Sequence, residues 1–200
     1  MLTKDTEEMR NQIEMYSIDQ LVPEDHLVRK LEAAIDFSFI YDLVSDKYSV
    51  DTGRPSVDPV VLFKIILIQY IFGIKSMRQT ISEIQVNIAY RWFLGYGITK
   101  QIPHFTTFGK NYVRRFKNTE IFQQIFARIL EKAIGAGLIK ADAVFIDATH
   151  VKANANKKKY DTVKIEKEVR NYQELLDKEI NEDRELHDKE PLDLSKKKPN

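Results

Sequence analysis

Asp58-Pro-Val-Val-Leu-Phe-Lys64-Ile-Ile-Leu-Ile-Gln69-Tyr-Ile-Phe72-Gly73 is the stretch on which the fold turns. Asp58 offers a carboxylate to the orphan N–H groups of a first helical turn, and Pro59 has no N–H to lose there. The residues that follow are apolar nearly all round, so the pattern predicts a helix over 59–72 with Gly73 as its stop. A helix without a polar face has to be surrounded. This one is too short to span a bilayer and carries Lys64 and Gln69, so it belongs at the centre of a helical domain.

Working outward, Asp51-Thr-Gly-Arg-Pro-Ser-Val-Asp-Pro59 is a break, punctuated by Gly and two prolines. The first 50 residues read as helical. Val22-Pro-Glu-Asp-His26 enters one helix, with Pro23, Glu24 and Asp25 suited to its first turn. Leu27, Leu31, Ala34 and Ile35 recur at helical spacing, and a short apolar helix follows over 36–43. On the other side, Ser76-Met-Arg-Gln79 reads as a capping box opening a helix to Val86. A helix over 88–94 is closed by Gly95-Tyr-Gly97. Thr106 or Thr107 caps a helix through Lys117, and Thr119 caps another over 120–134. Gly135-Ala-Gly137 reads as a C-cap. Trp92, Phe93, Phe122 and Phe126 are expected to pack the central helix.

A hydrophobic content of 43% with 10% aromatics is that of a core-forming chain. The absence of cysteine excludes disulfides, thiolate zinc sites and cysteine nucleophiles, and fits a reducing cytoplasm. Met1 to Met15 is polar with four acidic residues, unlike a signal peptide. A cytoplasmic protein with no membrane partner is therefore expected. The net charge of +1 is unevenly laid out: residues 1–53 hold 5 Lys+Arg against 12 Asp+Glu, residues 54–150 hold 13 against 6. A basic middle points to a polyanion partner. Solvated faces that differ in sign account for the charge equally well.

After residue 141 the period changes. Ala143-Val-Phe-Ile-Asp147-Ala-Thr-His150-Val-Lys152-Ala-Asn-Ala-Asn156-Lys157-Lys158-Lys159 opens with a β-branched and aromatic run that predicts a strand. Asp147 would stand at the rim of its sheet, within reach of a metal ion or a phosphate. The lysines, Lys152, Lys157 and Lys158 among them, suit a polyanion brought to that rim. Phosphodiester cleavage by a metal pair needs several hard carboxylate oxygens. Asp147 is one; Asp142 faces the other side of the strand, and Glu166 and Glu168 fall on a charged helix. In that helix Ile165, Val169, Tyr172 and Leu176 form a narrow stripe that needs a partner.

The segment His104-Phe-Thr-Thr-Phe-Gly-Lys110-Asn-Tyr-Val-Arg114-Arg115-Phe-Lys117 carries the second constellation. Lys110, Arg114 and Lys117 stand at spacings 4 and 3 and are expected on one face, with Arg115 beside them. Phe108, Val113 and Phe116 would anchor the opposite face. Such a set contacts DNA phosphates, and it equally suits a plain solvated face. The aromatics around Arg91, from Asn87 to Tyr96, could stack bases, although core packing is their commoner use.

Four motifs in order, Thr52-Gly-Arg-Pro-Ser-Val-Asp-Pro59, Asn87-Ile-Ala-Tyr-Arg-Trp-Phe-Leu-Gly95, Pro103-His-Phe-Thr-Thr-Phe108 and Phe145-Ile-Asp-Ala-Thr-His-Val-Lys-Ala-Asn-Ala-Asn156, closely resemble bacterial insertion-sequence transposases. The resemblance is to the group with an InsH-type helical N-terminal domain, in the IS eleven-eighty-two branch, and covers about residues 15–190. It implies a mainly α chain: a helical DNA-binding domain over 1–137, the first strands of an incomplete RNase H-like α/β catalytic domain over 138–160, and a charged helix and tail over 161–200. It also implies an Asp-Asp-Glu triad holding Mg²⁺, with Asp147 as the first Asp. The second Asp and the Glu of the family lie further along than this chain runs. The leading reading is thus the N-terminal part of a DDE transposase that binds element-end DNA. The alternatives are a free-standing DNA-binding protein that represses transposition, and a homo-oligomer formed through the 165–176 stripe. A lone carboxylate holds Mg²⁺ weakly. The 200-residue chain is therefore expected neither to nick element-end DNA nor to join strands in Mg²⁺ or Mn²⁺. Metal-dependent nicking lost on Asp147→Asn would contradict this.

Overall fold

In the computed structural model, which describes residues 11–49, 56–117, 119–139 and 157–192, the helices follow one another as α1 (Ile18–Leu21), α2 (Leu27–Ala34), α3 (Phe39–Val44), α4 (Pro59–Ile71), α5 (Met77–Val86), α6 (Ile88–Phe93), α7 (Phe105–Arg115), α8 (Ile121–Gly135) and α9 (Lys157–Glu185). A 3-10 turn at Ser45–Lys47 follows α3.

Local chemistry sets most of the boundaries. Asp58 Oδ1 accepts the Val60 N–H at 2.7 Å and Pro59 takes the first position of α4. Gly73, at φ +61, turns the chain so that the Ile74 N–H reaches Gln69 O at 3.0 Å. That six-to-one bond is the Schellman closure, open to glycine because it lacks a Cβ. Ser76 Oγ caps α5 through the Gln79 N–H at 3.1 Å, and Asn87 Oδ1 caps α6 through Tyr90 at 3.1 Å.

Three helices begin differently from expectation. His26 Nδ1 accepts the Val28 N–H at 3.2 Å, so α2 starts at Leu27 and Pro23, Glu24 and Asp25 precede it. At α7 the cap is His104, whose Nδ1 accepts the Thr106 N–H at 3.3 Å; neither Thr106 nor Thr107 takes that place. A neutral imidazole nitrogen is an acceptor like a carboxylate oxygen, but histidine is not among the residues by which helix starts are read. Thr119 does not cap α8 either: its hydroxyl donates to Phe116 O at 2.7 Å, and Glu120 holds the cap position.

From Val61 to Gln69 every residue of α4 is buried. Phe63 packs its ring 5.3 Å from Phe116 and 5.8 Å from Phe122, and Phe126 stands 5.8 Å beyond Phe122. Phe93 is buried as well, its ring 5.9 Å from Phe37. Trp92 is only partly buried and lies off this centre. Its indole N–H donates to Asp19 at 2.7 Å, and the Arg29 guanidinium covers its ring at 4.5 Å, tying α1 and α2 to α6. The two polar residues of α4 are both engaged. Lys64 Nζ meets Glu32 Oε2 at 2.6 Å, and Gln69 accepts the Tyr172 hydroxyl at 2.8 Å.

Among the described residues every regular element is a helix and no strand forms. This overturns the expected helical domain followed by the first strands of an RNase H-like α/β domain. Leu138 and Ile139, where that domain should begin, instead finish the turn after α8. Gly137 sits at φ +70 and the Leu138 N–H closes on Ala133 O at 2.9 Å. Both Leu138 and Ile139 pack against the helical core. The run from Val144 to Asp147 lies outside the described residues.

The next described element is α9, and it packs on helices. Ile165, Val169, Tyr172, Leu176 and Ile180 are all buried in the same core as α4 and α8. Tyr172 stands 5.1 Å from Phe126 and 5.6 Å from Tyr70. The stripe thus finds its partner within the chain. Burying side chains of this size is worth about 1.5–3 kcal/mol each. Leu67 is fully buried, so Leu67→Ala is expected to lower unfolding stability by about 2–5 kcal/mol. Chemical denaturation checks this, and an unchanged midpoint would remove α4 from the centre.

Candidate nucleic-acid interface

The amphipathic pattern of α7 orients its charged face. Phe108 and Tyr112 are buried, with Tyr112 edge-on to Phe122 at 5.3 Å, and Phe116 follows just past the helix. Lys110 and Arg114, one turn apart, are exposed on the other side. At the front of the helix Arg78 of α5 lies over the Phe105 ring at 4.1 Å and pairs with Asp183 of α9 at 3.1 Å. One guanidinium therefore joins α5, α7 and α9.

The other basic residues of this segment turn inward. Arg115 donates to Asn111 Oδ1 and its guanidinium lies 4.2 Å from the centre of the Tyr48 ring. Lys117 does not share the face of Lys110 and Arg114. The helix ends at Arg115, and the Lys117 N–H bonds Tyr112 O, five residues back, at 3.1 Å. A spacing of three counts as one face only while the helix continues. Lys117 is buried, and its charge favours the ionised form of Asp177 on α9. Asp147 and Lys152, with Thr149, His150, Asn154 and Asn156, lie outside the described residues. Lys157 and Lys158 fall in the first turn of α9.

Arg91 does not stack bases. It is buried, and its guanidinium donates to the carbonyls of Gln85, Gly97, Ile98 and Lys100 at 2.5–3.2 Å. An always-charged fork bonded to four carbonyls fastens the loop after α6. Tyr90 and Phe93 beside it are core residues.

Sequence reasoning missed the contribution of α9. At Gly109 a Cβ would lie 3.8 Å from Ile180 Cγ1, so α7 and α9 approach closely there. Beyond that contact the two helices diverge into a cleft of about 370 Å³, lined by Lys110 and Arg114 on one side and by Asp183, Arg184, His187 and Lys189 on the other. The alternation of charge along α9 hides this set, because only the buried stripe tells which face meets α7.

The docking of α9 is electrostatically tense. Glu179 accepts the N–H of Met77, first residue of α5, and the Gln69 amide at 3.4 Å. Glu168 accepts the Tyr70 hydroxyl at 3.1 Å. Burial nevertheless pushes the carboxyls of Glu168, Asp177 and Glu179 above the usual range, since desolvation outweighs the hydrogen bonds and the nearby Lys117. A carboxyl raised by folding contributes stability below its unfolded pKa, about 4, and loses it as pH rises through the folded value. Glu179→Gln removes one such loss. The variant is expected to gain in Tm on the native chain as pH is raised from about 4 to 7; a difference independent of pH would contradict the tension.

A family profile described as Transposase domain (DUF772) matches residues 16–114, from just ahead of α1 almost to the end of α7. This segment, though not the whole chain, therefore belongs to the transposase-domain family. The match does not reach the finer branch suggested by the motifs. No curated protein and no solved structure matches the chain. Among the described residues no helix is long and apolar enough to cross a membrane, and no group of three or more His, Asp or Glu could hold a metal ion.

Proposed function

We propose that the chain is the DNA-binding part of a DDE-type insertion-sequence transposase, and that it engages element-end DNA through the outer face of α7. The observation that carries this reading is the pair Lys110 and Arg114. They are exposed one turn apart on a helix whose other face is locked in the core, at the end of the transposase-domain match. Among the described residues neither makes an ion pair. Two free cations about 6 Å apart along a rigid axis suit neighbouring phosphates of one strand. Their binding releases condensed counterions, so affinity falls steeply with salt.

In the same proposal Asp147 belongs to the cutting centre, as the motif around it suggests. Its carboxylate is a hard oxygen ligand for Mg²⁺, which would polarise a phosphodiester oxygen and activate water. Lys152, Lys157 and Lys158 would stand near the same DNA. Binding and cutting then rest on separate residues.

Lys110→Ala with Arg114→Ala is expected to weaken binding to duplex DNA and to flatten log K against log salt by roughly two units. Arg115→Ala, which removes an inward contact, should lower stability and leave the slope alone. An unchanged slope in the double variant, measured by fluorescence anisotropy, would sink the assignment.

A further inference from the structure

The cleft between α7 and α9 has a second basic wall. At its C-terminal end α9 does not fray. Asp188 takes φ 52, a left-handed conformation usually left to glycine. That turn lets the Lys189 N–H bond Arg184 O at 2.9 Å, and the Asp188 N–H bond Glu185 O at 3.1 Å. The returning segment is then pinned along the helix, because the Leu192 N–H donates to Asn181 Oδ1 at 2.8 Å. A non-glycine residue held in this region persists only where its surroundings fix it. The result is that Lys189 is carried back to the cleft. Arg184 Nε donates to Glu190 O at 2.9 Å, which holds the guanidinium in one plane.

Four cationic side chains thus line the cleft, two from α7, one from α9 and one from the segment that follows it, against one acid, Asp183. That acid is already engaged: Arg78 holds it at 3.1 Å, and His187 Nδ1 lies 3.7 Å away. Among the described residues Lys189, like Lys110 and Arg114, makes no ion pair. Unpaired like charges facing one another repel unless an anion lies between them. The volume, about 370 Å³, falls in the range of small-ligand sites and is open along one side.

We infer that this cleft is a phosphodiester site, in which Arg184 of α9 and Lys189 just past its end clamp the backbone of duplex DNA opposite Lys110 and Arg114 of α7. The inference rests on the proposal that α7 binds DNA, and it adds α9 as the second jaw. Arg184 supplies a planar fork matched to two phosphate oxygens, whereas Lys189 acts as a point charge. Because one jaw is a docked helix, bound DNA and docked α9 support each other by linkage.

The test is a titration of a short labelled duplex, over a range of salt, with the full chain. Lys189→Ala leaves the packing untouched and is expected to flatten log K against log salt by about one unit. Arg184→Ala with Lys189→Ala should flatten it by about two, while Arg184→Lys alone keeps the native slope. Native slopes in both alanine variants, with Lys110→Ala/Arg114→Ala still flattened, would overturn the clamp and leave the α7 reading standing. Native slopes in every variant would remove both. Equal binding and equal loss with a single-stranded RNA of the same sequence would overturn the assignment to duplex DNA.

Discussion

Everything in this fold depends on enclosing α4. A helix that is apolar all round gains nothing from one neighbour, since each exposed side would leave large side chains in water. Its two polar residues then decide which neighbours sit where. A buried ammonium costs several kcal/mol unless it is paired, so Lys64 requires Glu32 of α2 beside it and rests over the rings of Phe37 and Phe93, each 4.8 Å away. A buried amide left without partners is also costly, so Gln69 requires Tyr172 and Glu179 of α9. The first contact fixes the N-terminal helices. The second fixes a helix about a hundred residues further along.

From Gln69 the constraint passes to the surface. Glu179, held at Gln69, also meets the first N–H of α5, where the helix dipole favours negative charge. Ile180 follows it against Gly109, and Asp183 then reaches Arg78. Each step along α9 locates the next, and the last turn arrives beside the charged face of α7. The basic groups of this surface are thus positioned by contacts in the core. The transposase-domain match ends in α7 and leaves out the helix that forms the opposite wall.

What could be read from the sequence was local. The Asp58-Pro59 start, the Ser76 cap, the Gly73 stop and the apolar girth of α4 each report on their own neighbourhood, and the structure has them all. Errors arose where a residue's role depends on distant partners. For the aromatics around Arg91 core packing was already the commoner of two open uses, and the carbonyls returned at Gly97 to Lys100 show what the guanidinium itself does there. Lys117 has the spacing of an α7 face but comes just after the helix has stopped. The stripe in α9 was visible, yet its partner was not, because a four-residue seam on a charged helix does not name what it packs against. The boundary placed at 138 failed for a related reason: Leu138 and Ile139 finish the turn after α8 and pack on the helical core, while the β-branched run at Val144 to Ile146 lies outside the described residues.

The central claim is that α9 is an integral wall of the bundle, through which α4 positions the basic cleft. Native-state hydrogen exchange followed residue by residue addresses it directly. The account predicts that the amides of Val169, Tyr172 and Leu176 exchange as slowly as those of Phe63 to Leu67, because both sets open only when the whole core unfolds. Exchange of the α9 amides at unfolded-chain rates, with α4 still protected, would contradict it.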